Sequence, residues 1–517
     1  MTSTMMPPRA TARPGRGGFG RQLHAEWTKF RTVQGWVWSA VGALLTICLV
    51  GLLATAASNT SDPDGSSALP VGPGGEAVND SFTFVHQQLR GDGTLTVSVS
   101  SLAGVVTTSP TDSKAGLAPW AKAGIIVKDG LDQGSAYAAM MVTGAHGVRM
   151  QYDYTHDTAG TTGTVSHRTP RWLRLKRSGD TLTGYESSDG AHWTEVGHAD
   201  LTGLSATPQV GLFVTSPSVE DGTGTGTGFA PAVATGTFDQ VLLGGGWTNG
   251  SWRTGQVGGD AGTSGSYSQH TKGGATPSGS GFAITGAGDI APVVGGPAGS
   301  GVRTIENFLV GAFAGLIVMV VVGAGYITVE YRRGMIGVTL AASPRRGRVL
   351  VAKALVVGSV AFTIGVAAAA VMVPLGGQRS ESNGFPVLTV PTATELRVIV
   401  GTGLLLAVAS VFALAVGTIL RRSAVAITVV VVGMVLPYLL AAASLLPDGA
   451  AEWLLRVTPA AGFAIQQSVE RYDQVVTVYA PSSGYFPLAP WAGFAVLCAY
   501  AAAVFAAAMV LLRRRDV

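Results

Sequence analysis

Charge is scarce in this sequence. Asp, Glu, Lys and Arg make up 12% of 517 residues, where a soluble globular chain carries about a quarter. The deficit excludes an ordinary soluble protein over the whole length, and the length itself exceeds one domain. Cysteine is nearly absent. Cys48 and Cys498 lie in apolar runs near opposite ends, which excludes a disulfide framework and cysteine-ligand metal spacing. No G-x-x-x-x-G-K-[ST] segment surrounds any lysine, so the chain has no P-loop to cradle nucleotide phosphates. His86, His146, His156, His167, His192, His198 and His270 show neither HxH nor HExxH spacing, so no metal site is expected. No long apolar run has a charge in its middle, which disfavours an ion-coupled carrier.

What is abundant is apolar sequence, 47% of residues. Six charge-free stretches have the roughly 20 residues needed to cross a bilayer: 36–57, 308–329, 354–375, 398–420, 423–446 and 491–512. Basic residues cluster before the first, between the second and third, between the fourth and fifth, and after the sixth. Residues 1–33, 330–353, 421–422 and 513–517 hold 17 Lys and Arg against Glu26, Glu330 and Asp516. The remainder is net negative. Two populations of opposite sign describe the two faces of a membrane better than a nucleic-acid patch. The positive-inside rule then predicts both termini in the cytoplasm and residues 58–302 outside. The first run begins about 35 residues in, without a cleavage signal, and reads as a retained anchor. Arginine far outnumbers lysine, a bias suggesting a GC-rich bacterial source and hence a bacterial plasma membrane.

Residues 1–18, rich in Pro, Arg and Gly, are expected to be disordered. Across 19–33, Leu23, Trp27 and Phe30 recur at helical spacing while Arg21, His24, Lys29 and Arg31 take other faces. That pattern predicts an amphipathic interfacial helix, which also carries Glu26. Pro437 is expected to kink the fifth span. Alanine and glycine in the third, fourth and sixth predict close helix packing.

Between the first two spans the texture changes to short alternating segments. Strands are predicted at 94–100, 123–128, 137–143, 148–154, 172–177, 182–187, 210–215 and 237–243, with turns such as Ser178-Gly-Asp180 between them. Eight or more such strands imply an all-β sandwich or jelly roll, with a core over about 80–245. The Gly/Ser/Thr-rich tract 246–302 contains Trp247, Trp252 and Phe282 and is expected to pack on the sandwich as an appendix. Glycan hydrolysis needs two facing carboxylates. Asp129, Asp132, Asp153, Glu186 and Glu195 are candidates, but most lie in turns, where a capping role is favoured, so no catalytic residue is assigned. Trp120, Tyr152, Trp172, Tyr185 and Trp193 are candidates for stacking on sugar rings, against the plainer role of core packing. The segments Trp120–Asp129, Ser135–Thr143, His146–Tyr152, Trp172–Tyr185 and Ser188–Trp193 resemble the concanavalin-like lectin/glucanase sandwich. Fold alone does not choose among its functions.

Three further segments resemble six-span permeases of ABC-type exporters. They are Ala25-Glu-Trp-Thr-Lys-Phe-Arg31, the loop from Glu330-Tyr-Arg-Arg-Gly-Met-Ile to Ala342-Ser-Pro-Arg-Arg-Gly-Arg-Val-Leu-Val-Ala-Lys353, and the ending Leu512-Arg-Arg-Arg-Asp-Val517. The resemblance covers 1–57 and 303–517 and implies a polytopic α-helical protein with the sandwich inserted between helices 1 and 2. It implies a coupling loop formed by Glu330, Arg332, Arg333, Pro344, Arg345, Arg346, Arg348 and Lys353, which contacts a separate ATPase subunit. ATP would be bound by that partner, with no cofactor in this chain, and a second permease copy or a related permease would complete the transporter. The same arginines also serve a plainer purpose, setting topology and meeting anionic lipid heads. A membrane receptor or adhesion protein with a glycan-binding ectodomain stays open as the alternative, although an anchor needs fewer spans.

Overall fold

The computed structural model describes residues 18–56, 69–109, 112–221, 228–258, 273–294, 302–337, 345–443, 446, 448–475, 477 and 479–514. Most of the tail expected to be disordered, residues 1–17, lies outside these residues, as do His270 and Pro344.

Among the described residues, six helices are long and apolar enough to cross a membrane. They are span 1 (Gln34–Ala56), span 2 (Gly311–Arg332), span 3 (Arg346–Ser382), span 4 (Thr392–Leu420), span 5 (Ser423–Ala442) and span 6 (Pro490–Arg514). Span 3 has 37 residues and is therefore about 55 Å long, well over a hydrocarbon core of about 30 Å. Its surplus carries Arg346 and Arg348 at one end and Arg379 at the other. Span 5 continues through Pro437. Span 4 is central, packing on spans 2, 3, 5 and 6. Glycine permits that approach. A Cβ on Gly323 of span 2 would lie 2.2 Å from the Ser410 carbonyl oxygen of span 4, and one on Gly365 of span 3 would lie 2.6 Å from Gly403 Cα.

The sandwich occupies the sequence between span 1 and the remaining spans. One antiparallel sheet runs β16 (Arg253–Val257), β2 (Phe82–Gln88), β12 (Gln209–Thr215), β5 (Lys122–Lys128), β6 (Tyr137–Thr143), β7 (Val148–Tyr152) and β8 (His156–Ala159). The other runs β11 (Thr194–Asp200), β10 (Thr181–Ser187), β9 (Arg171–Ser178), β3 (Gly93–Ser109), β15 (Ala232–Gly245), β18 (Gly281–Gly286) and β17 (Gly274–Ser278), with β4 (Asp112–Ala115) on β3. Strand alternation fills the space between them. Leu95, Val97, Leu173, Leu175, Leu182, Ile125, Val127, Met140 and Leu212 all point inward and are buried. The Gly-rich tract is not an appendix, because β16 extends one sheet while β17 and β18 extend the other. Its aromatics explain this. Trp247 lies against Gly93 and donates its Nε1–H to the Gly91 carbonyl at 3.0 Å, and Trp252 packs edge-on to Phe282.

A two-stranded ribbon, β1 (Val78–Asp80) with β19 (Ile290–Pro292), is pinned to the outer face of β5 by two buried lysines. Lys122 Nζ meets Asp289 Oδ1 at 2.6 Å, and Lys128 Nζ meets Asp80 Oδ2 at 2.8 Å. Tyr154 Oη also donates to Asp80 Oδ2, at 2.7 Å. Each charge is paired, as burial requires.

The sandwich rests on one end of the bundle. Ala77 and Val294 pack with Leu388 and Val469 of the bundle loops, and Gln474 Nε2 donates to the Tyr154 and Thr155 carbonyls. At this end the short helix Ile305–Phe308 precedes span 2. Its Glu306 accepts from the Ser468 backbone N–H and, at 2.6 Å, from Ser468 Oγ. Burial pushes the Glu306 carboxyl above the usual carboxylate range, although the Ser468 donors oppose the shift. A raised folded-state value means that the native protein holds this proton more tightly than the unfolded chain. Stability is therefore lost as pH rises from the ordinary glutamate range through the folded value. Glu306→Gln should leave the thermal midpoint of the detergent-purified protein unchanged near pH 4 and raise it at pH 8. A lower midpoint at pH 8 would mean that the carboxylate is favoured in its charged form.

Candidate functional site

The opposite end of the bundle gathers the basic segments. Span 2 ends there at Arg332, span 3 begins at Arg346, spans 4 and 5 meet at Arg421 and Arg422, and span 6 ends at Arg514. The N-terminal helix Phe19–Thr32 packs across this end. Helical periodicity predicted that Leu23, Trp27 and Phe30 form its apolar face. Phe30 is buried and Leu23 is partly covered, but Trp27 is 43% exposed and Glu26 takes the buried position. Arg31 is exposed.

Glu26 is buried because a lysine waits for it. Lys353, one turn beyond Val349 on span 3, is fully enclosed. Its Nζ lies 2.8 Å from Glu26 Oε2 and 2.7 Å from Glu330 Oε1 at the end of span 2. Lys29 Nζ closes the cluster at 3.3 Å from Glu26 Oε1 and 3.2 Å from Glu330 Oε1. Tyr326 Oη donates to the Glu26 carbonyl at 2.9 Å, and the Lys353 ammonium sits 4.6 Å from the Tyr326 ring centre. Two carboxylates and two ammoniums sum to zero, the condition under which such burial is tolerated. Burial works to lower the Lys29 ammonium, but Glu26 and then Glu330 outweigh it and hold it above the ordinary lysine range. The quartet fastens the N-terminal helix to spans 2 and 3.

This arrangement corrects part of the expected coupling loop. Glu330 and Lys353 do not face outward to meet a partner, because each is consumed by the quartet. Arg332, Arg333, Arg345 and Arg348 are exposed, and Arg346 is half-buried and donates Nη1 to the Leu512 carbonyl at 3.3 Å. Arg345, Arg346, Arg348 and Arg513 line a cleft of about 710 Å³ with Phe19 and Met509. A second cleft of about 520 Å³ is lined by Arg332, Arg421 and Arg422, where the Arg421 guanidinium stands 5.0 Å from the Tyr331 ring centre. The end of the bundle thus presents an arginine face held in shape by a neutral buried core of charges.

Residues 232–517, more than half the chain, match the family described as ABC-2 family transporter protein. The chain belongs to the ABC-2 transporter family. With its six apolar helices it is a membrane permease subunit of an ABC transporter. The matched region starts within β15 of the sandwich and runs through span 6, so the N-terminal helix and span 1 precede it. No curated protein matches the chain. Among solved structures, a functionally unknown protein from Saccharomyces cerevisiae is similar at 16% identity and TM-score 0.22, over 35% of this chain and 82% of that one. Scytalido-glutamic peptidase with a transition-state analogue inhibitor is similar at 10% identity and TM-score 0.26, over 42% and 100%. Scores this low transfer neither fold nor function to this chain.

In the sandwich the candidate aromatics divide. Trp172, Tyr185 and Trp193 line one cleft of about 590 Å³. Trp120 and Tyr152 belong elsewhere: Trp120 is buried and stacks on His146 at 4.0 Å, and Tyr152 stacks on His156 at 4.2 Å. The candidate carboxylates have local partners. Asp129 accepts from the Ser205 N–H, Asp153 from the Tyr137 N–H and Glu186 from the Thr161 N–H, while Glu195 lies 3.7 Å from His198. The Asp132 backbone carbonyl accepts from Ser135 Oγ. Among the described residues no group of three His, Cys, Asp or Glu is placed to hold a metal ion.

Proposed function

We propose that this permease exports its cargo in partnership with a separate ATP-binding subunit docked on the arginine face. The carrying observation is the assembly of that face around the quartet, with Arg332, Arg333, Arg345 and Arg348 left exposed. Their guanidinium forks suit carboxylates on a partner surface. Basic residues lie at one end and the sandwich at the other, which under the positive-inside rule supports cytoplasmic termini and an extracellular sandwich in a bacterial plasma membrane. Two ATPase subunits would pair with two permease halves, either copies of this chain or this chain and a relative. The sandwich would present a lectin-like surface to a glycan or envelope ligand.

The test is recovery of an ATP-hydrolysing subunit with tagged permease from native membranes. Arg345→Ala with Arg348→Ala should reduce that recovery about tenfold, the loss expected when interface arginines worth about 1 kcal/mol or more are truncated. The variant permease should remain monodisperse, since both side chains are exposed. Unchanged recovery would remove this face from the docking role.

A further inference from the structure

The outer face of the larger sheet bears a built surface that the permease role leaves unused. Along β9, Leu173 and Leu175 enter the core, so Trp172, Arg174 and Lys176 must face outward. Pairing fixes their neighbours. Arg174 stands between Thr96 and Tyr185, and Lys176 between Thr94 and Thr183. The Arg174 guanidinium is fixed on two sides, with Nε donating to Thr96 Oγ1 at 3.1 Å and the group lying 3.7 Å from the Trp193 ring centre. Trp172 is held by the turn before Trp193. A Cβ on Gly190 (φ +75°) would fall 2.8 Å from its ring. Asp189 shapes that turn by accepting the Ala191 and His192 N–H groups, both at 2.8 Å. Lys176 is exposed.

The cleft therefore combines three partly exposed aromatic rings with two cations. Acidic residues on the same face do not line it. Glu195, opposite Tyr185 on β11, lies 3.7 Å from His198 Nδ1, and Asp239 accepts from Ser100 Oγ at 2.6 Å. Aromatic faces of this kind accept the C–H faces of pyranose rings, and pre-oriented cations select a negative substituent. Neutral glycans need no such cations. Hydrolysis would need a carboxylate pair, which the lining lacks.

We infer that the cleft at Trp172, Arg174, Lys176, Tyr185 and Trp193 binds a saccharide bearing a negatively charged group, a uronate or a phosphate. This rests on the lectin-like reading of the sandwich but not on ATPase docking, so either can fail alone. The full chain in nanodiscs should bind trigalacturonate or a glycerol-phosphate oligosaccharide at least tenfold more tightly than cellotriose, with affinity falling as salt is raised. The two acidic probes separate uronate from phosphate as the source of charge. Trp172→Ala and Lys176→Gln should each weaken the preferred probe about tenfold while ATPase recovery stays unchanged. Cellotriose binding as tightly as the acidic probes would overturn the charge assignment. Binding of neither class would discard the saccharide reading, and binding unaffected by both substitutions would discard the cleft.

Discussion

Lys353→Met is expected to cost the permease about 3–5 kcal/mol, the penalty for removing one partner of a buried ion pair. The size follows from geometry. Lys353 is fully enclosed and bridges Glu26 and Glu330 at 2.8 and 2.7 Å. Methionine fills similar space but leaves two buried carboxylates to share Lys29 alone. The cluster then carries a net negative charge at the junction of three helices. The readout is the thermal midpoint in detergent, with the fraction eluting as a single species. A second substitution separates charge from packing. Adding Glu26→Gln to Lys353→Met restores neutrality between Glu330 and Lys29, so part of the loss should return. If the single variant melts like the parent, or the added Glu26→Gln makes matters worse, the quartet is not what fastens the N-terminal helix.

Gly323→Leu is the second large effect, a loss of about 3 kcal/mol or more, at the upper limit of overpacking penalties. Any Cβ at this position lies 2.2 Å from a span 4 backbone oxygen, and at Gly365 the obstacle is the Gly403 Cα at 2.6 Å. Backbone cannot rotate aside as a flexible side chain would, so spans 2 and 4 must separate along the contact where Gly323 meets Ser410 and Gly417 meets Ala324 and Ile327. Gly377 is the control. It lies on span 3 with nothing within 4 Å of a built Cβ, and Gly377→Ala should be neutral or slightly stabilising, as a helix prefers alanine. Melting curves of the two variants and the parent decide it. Equal behaviour of Gly323→Leu and Gly377→Ala would show that spans 2 and 4 are not in contact.

Both effects show where sequence reading ends. The number of spans was legible because about 20 uncharged residues in a row have one physical use. The sandwich was legible from period-two alternation. Strands β1, β2, β4, β8, β11 and β16 to β19 escaped prediction. In β2 all but the last residue is buried, so alternation disappears, and β17 is short, half-exposed and contains Pro277, a residue that argues against a strand. Periodicity groups Trp27 with Leu23 and Phe30 on one apolar stripe but does not say which side of the helix meets the bundle. Only the position of Lys353, 327 residues later, turns the helix toward Glu26. A hint existed, since Glu26 and Glu330 are two of three acids in four strongly basic segments.

Taken alone, the sequence determined the six-helix membrane region, the β-rich insertion and the sorting of basic residues into alternate loops. These depend on local length, periodicity and charge, which need no knowledge of distant neighbours. Tertiary structure decided which charges are consumed and which are offered. Glu330 and Lys353 close on Glu26 and Lys29, while Arg345 and Arg348 stay outside. It also decided which aromatics share a cleft and which glycines carry helix contacts. Pairing energies act through space over a few ångströms, between residues that the chain separates by hundreds of positions, and no local pattern records them.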